Sequence, residues 1–384
     1  ESDRKVFIDL TNARKLMSTF KEATKIRSIY EVAYENIGEE SSLLQQESIF
    51  EMNSSSGNFE KADLLLKKAH EIDPDNPFIA HSKAEFLLRK AEKSVKDLVT
   101  KKLLASAKDV CNGIIINRKT KNKSHGYHTL LKIYLFELEK LFKSDNTELL
   151  ETKIQEFEKT ISKAMQSYPN ESFLLDAESS FNELLNNSPQ AFESLKSAFK
   201  LNKRSPYLAT RLSNYYVKND NIDTGLSVLL ETINLNLNNK DLNFMYAKLL
   251  MLKNPEDYSE IKHYLRKSFT KMDKRYDAQF WYARILYLLG DKEYISYFEY
   301  LKSAPLDVRK KKKPQGFVTE NLITKIFDGT ITKLESSYGF IKQDFSGETI
   351  FFHRGRDLHD LRFNSRVKFN KAFNYNGVIA LLFT

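Results

Sequence analysis

Side chains that suit the binding of flat, charged ligands are concentrated near the end of the chain, in the segment GTITKLESSYGFIKQDFSGETIFFH. Successive side chains of a strand point to opposite faces, so every second residue shares one face. Two strands that flank a Ser346-Gly347 turn and pair antiparallel would bring three aromatic rings, an imidazole and a lysine together. The residues of this predicted face, called the ring face below, are Tyr338, Phe340, Lys342, Phe351 and His353.

The ring face indicates a ligand with flat rings and negative charge. A soluble domain exposes few aromatic residues, so a row of rings on one strand face calls for a partner. Unstacked bases stack on such rings while Lys and Arg neutralise the phosphates, which favours single-stranded RNA or DNA. The residues leave one alternative open, in which another part of the chain, such as the last helical repeat, covers the rings. The predicted contact residues are Tyr338, Phe340, Lys342, Phe351, His353, Arg354 and Lys333, supported by the basic run Arg309, Lys310, Lys311, Lys312 and Lys313.

Two short motifs, SSYGFI (Ser336–Ile341) and IFFHR (Ile350–Arg354), resemble the ribonucleoprotein-type motifs of the cold-shock domain, which read roughly KGFGFI and VFVHF. They occur in the family's order and at its separation. The resemblance implies a small five-stranded antiparallel β-barrel of the cold-shock or OB type that binds single-stranded nucleic acid, RNA above all. An Asn376-Gly377 turn is expected to close its last hairpin. The other predicted strands are Asp328–Lys333, Arg366–Phe373 and Val378–Phe383, and the predicted barrel core residues are Ile341, Ile350, Phe352 and Phe369.

The sequence departs from the cold-shock pattern at four places, one of which is a loop before SSYGFI that is about two residues shorter. Lys333-Leu334 occupies the position of a Trp-Phe pair, Ser336-Ser337 replaces Lys-Gly, and Arg354 replaces an aromatic residue. Strict alternation puts Lys333 beside Ile331 on the core face unless a β-bulge intervenes. Because each stacking surface contributes about 1–3 kcal/mol, the missing ring predicts weaker binding that depends more on charge.

A period of 34 residues runs through the middle of the chain. The pattern resembles the tetratricopeptide repeat (TPR), a stacked helical hairpin, over roughly residues 40–302 and most weakly over 91–150. The resemblance implies six to seven hairpins stacked as a right-handed solenoid, with a concave groove that takes a protein partner. The three series that keep the period are Phe157, Ala191 and Gly225; Ile161, Leu195 and Leu229; and Ala164, Ala198 and Thr232.

Composition places a domain boundary between the helical part and the barrel. Six of the 12 glycines lie from Gly316 onward, and residues 309–384 carry 14 Lys/Arg against 7 Asp/Glu, most of the net charge of +9. The predicted domains are an N-terminal helical segment 1–40, TPR-like repeats 41–302, a basic linker 303–316 and a cold-shock-like barrel 317–384. The predicted helices include Ser2–Ile37, Ser41–Met52, Pro77–Lys90, Glu171–Leu185, Pro206–Lys218, Leu242–Lys253 and Asp277–Leu289, and a polar loop is predicted over Lys119–His125.

Motifs for catalysis, cofactors and membranes are missing from the sequence. The only cysteine, Cys111, allows no intrachain disulfide, so we expect a buried small apolar residue in a reducing, cytoplasmic protein. His125 and His128 are three residues apart, but the glycine between them and the preceding Lys/Asn loop speak against a metal site. No phosphate-binding loop, zinc spacing or nucleophile motif occurs, so we expect no enzyme and no cofactor. No apolar run reaches membrane-spanning length.

The sequence therefore favours a non-catalytic scaffold that binds single-stranded nucleic acid, RNA in particular, through its C-terminal barrel and a protein partner through its repeats. A pure protein-interaction arm, with the barrel as a cap or docking surface, is the first alternative. A second is the sensor arm of a larger signalling or defence enzyme. The chain starts at Glu1 rather than Met, so we interpret it as a fragment of a longer protein. In this second alternative a catalytic domain would precede Glu1.

Overall fold

The computed structural model describes residues 20–54, 56–117, 119–120, 123–143, 147–354 and 361–383. Within these ranges, fifteen helices lie between Phe20 and Ser303, and a short helix and seven strands follow. The helices are α1 (Phe20–Ile37), α2 (Ser41–Asn53), α3 (Phe59–Ile72), α4 (Pro77–Glu92), α5 (Asp97–Ile116), α6 (Ser124–Leu141), α7 (Thr147–Ser167), α8 (Ser172–Leu184), α9 (Ser188–Leu201), α10 (Pro206–Lys218), α11 (Ile222–Leu235), α12 (Lys240–Lys253), α13 (Tyr258–Lys267), α14 (Tyr276–Leu288), α15 (Tyr294–Ser303) and α16 (Val308–Lys312). No helix in the described ranges combines the length and the apolar character needed to cross a membrane.

The chain forms two compact units, Glu1–Tyr215 and Tyr216–Thr384. In the first unit the helices pack as successive pairs, α2 with α3, α4 with α5, α6 with α7, and α8 with α9. In the second unit α12 packs on α13 and α14 on α15, and the strands follow. Both units are therefore built from helical hairpins, as the 34-residue period predicts.

The three periodic series occupy the buried side of α7, α9 and α11. Ala164, Ala198 and Thr232 are each 0% exposed, and the members of the other two series are buried as well. Small residues at these positions let paired helices approach closely, and the aliphatic ones fill the space between hairpins. The 34-residue period of the sequence therefore reflects equivalent buried positions that recur in successive hairpins.

Asparagine side chains start several of the helices. The Asn58 carboxamide oxygen accepts hydrogen bonds from the backbone N–H groups at the start of α3. Asn76 does the same for α4, whose first residue is Pro77. In the second unit, Asn221 and Asn239 cap α11 and α12. Because these caps satisfy N–H groups that have no partner within a helix, they fix where each hairpin begins.

The structure changes the extent of one segment predicted in the first unit and describes only part of another. The loop predicted over Lys119–His125 is shorter than expected, because α6 already begins at Ser124 and includes His125. Of the helix predicted over Ser2–Ile37, the structure describes Phe20–Ile37, and residues 2–19 lie outside the described ranges. Cys111 is buried on α5, as expected, and burial raises the pKa of its thiol to about 12.

The second unit ends in a closed five-stranded barrel with the order β3-β4-β5-β7-β6, in which β6 pairs back onto β3. All pairings are antiparallel except that of β5 with β7, which is parallel and runs through Phe351 and Ile379. A two-stranded ribbon, β1 with β2, precedes the barrel. These strands confirm the predicted fold class, mainly α with TPR-like hairpins and a small C-terminal five-stranded barrel. The strands are β1 (Thr319–Glu320), β2 (Ile323–Thr324), β3 (Ile326–Leu334), β4 (Tyr338–Gln343), β5 (Thr349–His353), β6 (Arg366–Asn374) and β7 (Gly377–Leu382).

The barrel interior consists of the residues that the alternation predicts. Its buried cluster comprises Ile331, Ile341, Ile350, Phe352, Phe369 and Ala380. Gly339 lies between two ring-face residues, and a Cβ atom there would lie 2.4 Å from the Phe352 ring. Glycine is therefore required at this position, since the core ring of β5 fills the space under β4.

Candidate nucleic-acid interface

The ring face forms on β4 and β5 with the predicted register. Tyr338 pairs with His353, and Phe340 pairs with Phe351. The Tyr338 and Phe351 rings are nearly parallel, with centroids 5.7 Å apart. The Phe340 and Phe351 rings meet edge to face at 5.8 Å, and His353 meets Phe351 at 4.8 Å. The four rings thus form one continuous patch on the outer surface of the barrel.

The ring face is open to solvent. Tyr338, Phe340 and Phe351 are half-buried and His353 is exposed. Ring faces that are only partly covered by their neighbours remain available for stacking. Among the described residues, the ring contacts of this face run within β4 and β5 and do not extend to the last helical repeat.

A β-bulge brings Lys333 to the edge of the ring face. The register between β3 and β4 shifts between Ile331 and Lys333, so that Lys333 pairs with Phe340 while Ile331 stays in the core. The Lys333 ammonium lies 5.8 Å from the centre of the Tyr338 ring and 3.3 Å from a Glu335 carboxylate oxygen. Strict alternation would have placed Lys333 on the core face, and the bulge turns it outward.

Positive groups surround the rings on other sides too. Lys342 is exposed and continues the row of Tyr338 and Phe340 along β4. The Arg354 guanidinium donates a hydrogen bond to the Glu335 carbonyl oxygen, which keeps it beside the β3–β4 loop. Desolvation lowers the pKa of His353 below its usual value, and the positive charge of Lys312 lowers it further. Both effects favour the neutral form of the His353 imidazole.

The basic run of residues 309–313 lies within the second unit, just before the barrel. Its first four residues belong to α16, which Asp307 caps by accepting two backbone hydrogen bonds. The Lys310 ammonium lies 3.0 Å from an Asp277 carboxylate oxygen, and the Lys311 ammonium donates to the Lys302 carbonyl oxygen. Two of the five predicted phosphate-binding residues thus make internal contacts. Arg309, Lys312 and Lys313 have exposed side chains.

A different side of the barrel docks on the last helical hairpin. The Tyr375 ring stacks on Phe280 of α14 with centroids 4.8 Å apart. Phe373 is fully buried and meets Tyr287 edge to face at 5.3 Å. The Arg284 guanidinium lies 5.6 Å from the Phe373 ring and donates to the Phe317 carbonyl oxygen. The barrel therefore caps the hairpin while its ring face remains outside the contact.

A buried lysine completes this docking contact. Lys371 is 5% exposed, and its ammonium lies 2.5 Å from a Glu348 carboxylate oxygen and 2.7 Å from the Tyr287 hydroxyl. The Tyr287 hydroxyl also donates to Glu348, and burial with this bond raises the pKa of Tyr287.

Sequence reasoning missed the docking residues on β6. In the structure the run 371–375 is buried at every position, without the alternation of a strand that has one exposed face. A strand covered on both sides loses its alternation. The apolar residues of this run, Phe373 and Tyr375, would have marked it as a second covered face.

Comparison with known proteins gives only distant likenesses. No protein-family model matches the chain, and no curated protein sequence matches it. Among solved structures, TTC0263, a TPR protein of Thermus thermophilus, is similar at a TM-score of 0.43 and 18% identity, over 55% of this chain and 99% of that one. Human IFIT1, solved as a dimer with m7Gppp-AAAA, has a TM-score of 0.42 and 13% identity, over 78% of this chain and 72% of that one. PilF of Pseudomonas aeruginosa has a TM-score of 0.36 and 15% identity, over 68% of this chain and 90% of that one.

Proposed function

We propose that the C-terminal barrel is a cold-shock-like module of the OB type that binds single-stranded nucleic acid, RNA in particular, on its ring face. The observation that carries the proposal is the open patch of four rings on β4 and β5, rimmed by Lys333 and Lys342. In OB-type barrels the second and third strands form the face that binds oligonucleotides. In this barrel those strands are β4 and β5.

The chemistry of the patch favours single strands over duplex. Bases in a duplex are already stacked on one another, so only unpaired bases are free to stack on Phe340 and Phe351. The rings have no hydrogen-bonding groups that distinguish one base from another, so sequence preference is modest. Lys333 and Lys342 lie at the margins of the patch, where the phosphates of a bound strand would pass. The proposed activity is binding, without bond making or breaking.

The helical repeats are the proposed site for a protein partner. In the first unit, the first helices of successive hairpins line a groove of about 730 Å³. Its walls carry charges of both signs, among them Arg89, Lys132, Glu92 and Asp176. The lining also contains apolar residues. Such a mixed lining suits an extended peptide, which offers polar backbone groups together with polar and apolar side chains. The scaffold would thus hold a protein at the repeats and a nucleic acid at the barrel.

The test of nucleic-acid binding uses fluorescence anisotropy with a labelled single-stranded RNA at low salt. Phe340→Ala and Phe351→Ala should each weaken binding by about 1–3 kcal/mol, since each removes one stacking surface. The matched control is Phe244→Ala on α12, because Phe244 is also a half-buried phenylalanine with a lysine nearby, 5.4 Å from the ring. That variant should bind as the wild type does, and unlabelled duplex of the same sequence should compete poorly.

Three results would contradict the proposal. One is the absence of single-strand binding by the wild type at low salt. Another is equal affinity of the wild type and both ring variants. If Phe244→Ala weakens binding while the ring variants do not, the repeats hold the nucleic acid and the barrel is a docking surface.

A further inference from the structure

Three potential metal ligands meet in the first unit, outside the sites described so far. His81 and Glu85 lie one turn apart on α4, and His128 lies on α6, which packs beside α4. Residues four apart in a helix share a face, so both α4 side chains point toward α6. One ligand atom from each residue lies within 4.8 Å of the others. In the sequence, by contrast, His128 is 43 residues away from Glu85.

We propose that His81, Glu85 and His128 form a binding site for a divalent transition metal, with Zn²⁺ as the best match. Two imidazoles and one carboxylate are a ligand set that zinc accepts, with a further position left for water or another ligand. Calcium and magnesium prefer oxygen ligands only, so the two imidazoles select against them. The sequence predicts no metal site, because His125 and His128 follow a polar loop and no zinc-ligand spacing occurs along the chain.

The surroundings hold the ligands in place. The Thr129 hydroxyl, which is fully buried, donates a hydrogen bond of 2.8 Å to Glu85 Oε1. Such a bond fixes the orientation of a ligating carboxylate. The His128 ring packs against Phe173 with centroids 4.5 Å apart, and His81 meets the His125 ring at 4.9 Å. The ligands are thus supported from both helices and from α8.

The ligand atoms of the three residues lie within 4.8 Å of one another. Tetrahedral ligands about 2 Å from zinc lie about 3.3 Å apart, closer than the present spacing. Side-chain rotations would provide this approach.

Lys132 competes with the metal for Glu85. Its ammonium lies 3.1 Å from Glu85 Oε1, and its side chain is 43% exposed. A partly exposed ion pair of this kind is weak, and the long side chain can turn toward solvent. Glu85 and His128 also line the groove of the first unit. The open metal position would therefore face the groove, where Lys132 now lies.

The test uses the full chain without an affinity tag, treated with a chelator and desalted. Zn²⁺ is titrated by calorimetry, and Co²⁺ by its visible ligand-field absorption. One site per chain is expected. His81→Gln, His128→Gln and Glu85→Gln should each weaken Zn²⁺ binding more than about 100-fold and remove the Co²⁺ band, whereas Thr129→Val should weaken it about 10–100-fold.

Lys132→Gln gives the sharpest prediction, because it should strengthen Zn²⁺ binding several-fold by removing the competing charge. The matched controls are His70→Gln and His263→Gln, which change exposed helical histidines and should leave the affinity unaltered. Each variant is first melted without metal to show that it is folded. Zn²⁺ should raise the melting temperature of the wild type and of the controls only.

The proposal is overturned if the wild type shows no saturable site. It is also overturned if His81→Gln and His128→Gln keep the Co²⁺ band, since the metal would then be held elsewhere. Weaker binding by Lys132→Gln would count against it too, because the lysine would then support the site instead of blocking it.

Discussion

Phe340 and Phe373 lie on the same barrel and should respond oppositely to replacement by alanine. Phe373 is fully buried between the barrel and α14–α15, near Tyr287 and Arg284. Phe340 is half-buried on the ring face. We predict that Phe373→Ala lowers stability without changing intrinsic affinity for single-stranded RNA, and that Phe340→Ala lowers affinity with little effect on stability.

The magnitudes follow from the burial of the two rings. Replacing a fully buried phenylalanine by alanine removes its apolar contacts and leaves a cavity, at a cost of about 3–5 kcal/mol. For a unit of this size, about 2–4 °C of melting temperature is lost per kcal/mol, so Phe373→Ala should melt about 6–20 °C lower. Phe340→Ala should instead cost about 1–3 kcal/mol of binding.

The assay follows unfolding in urea through the fluorescence of Trp281, the only tryptophan in the chain. Trp281 is well placed, because its ring lies 5.5 Å from the Arg284 guanidinium in the docking contact. Anisotropy titrations with RNA are run on the same samples at a temperature where each variant is folded. Phe373→Leu serves as a milder variant if the alanine variant is not folded.

Two results would refute this reasoning. If Phe340→Ala destabilises the protein as much as Phe373→Ala does, then the ring face is part of a core or an interface. If Phe373→Leu is folded and yet loses affinity as Phe340→Ala does, then the docking face and the ring face do not act independently.

Salt and pH provide further predictions. Lys312→Gln and Lys313→Gln should each reduce the slope of log affinity against log salt, by up to about 0.7 for each phosphate that is no longer neutralised, whereas Lys310→Gln should leave it unchanged because Lys310 pairs with Asp277. Anisotropy titrations at several salt concentrations test this, and equal slopes for all three variants would contradict it. Because desolvation lowers the pKa of His353, its imidazole becomes protonated only at a lower pH than a free histidine. The positive charge gained on acidification should strengthen RNA binding, and His353→Gln should show a smaller rise.

The sequence alone determined the elements whose patterns are local. The 34-residue period located the buried small positions of α7, α9 and α11, such as Ala198, because a helix shows one face to its neighbours at a fixed spacing. Alternation separated the core residues Ile341 and Phe352 from the ring-face residues Phe340 and Phe351. These distinctions depend on secondary-structure geometry, which a short stretch of sequence encodes.

Tertiary structure decided which surfaces meet. Alternation could not reveal that β6 docks on α14–α15 and leaves the ring face open, since both faces carry aromatic residues. Nor could spacing place His128 beside Glu85, because the two lie on separate helices that only hairpin packing brings together. Contacts of this kind depend on the shape and charge of surfaces far apart in the chain, and no local period of the sequence records them.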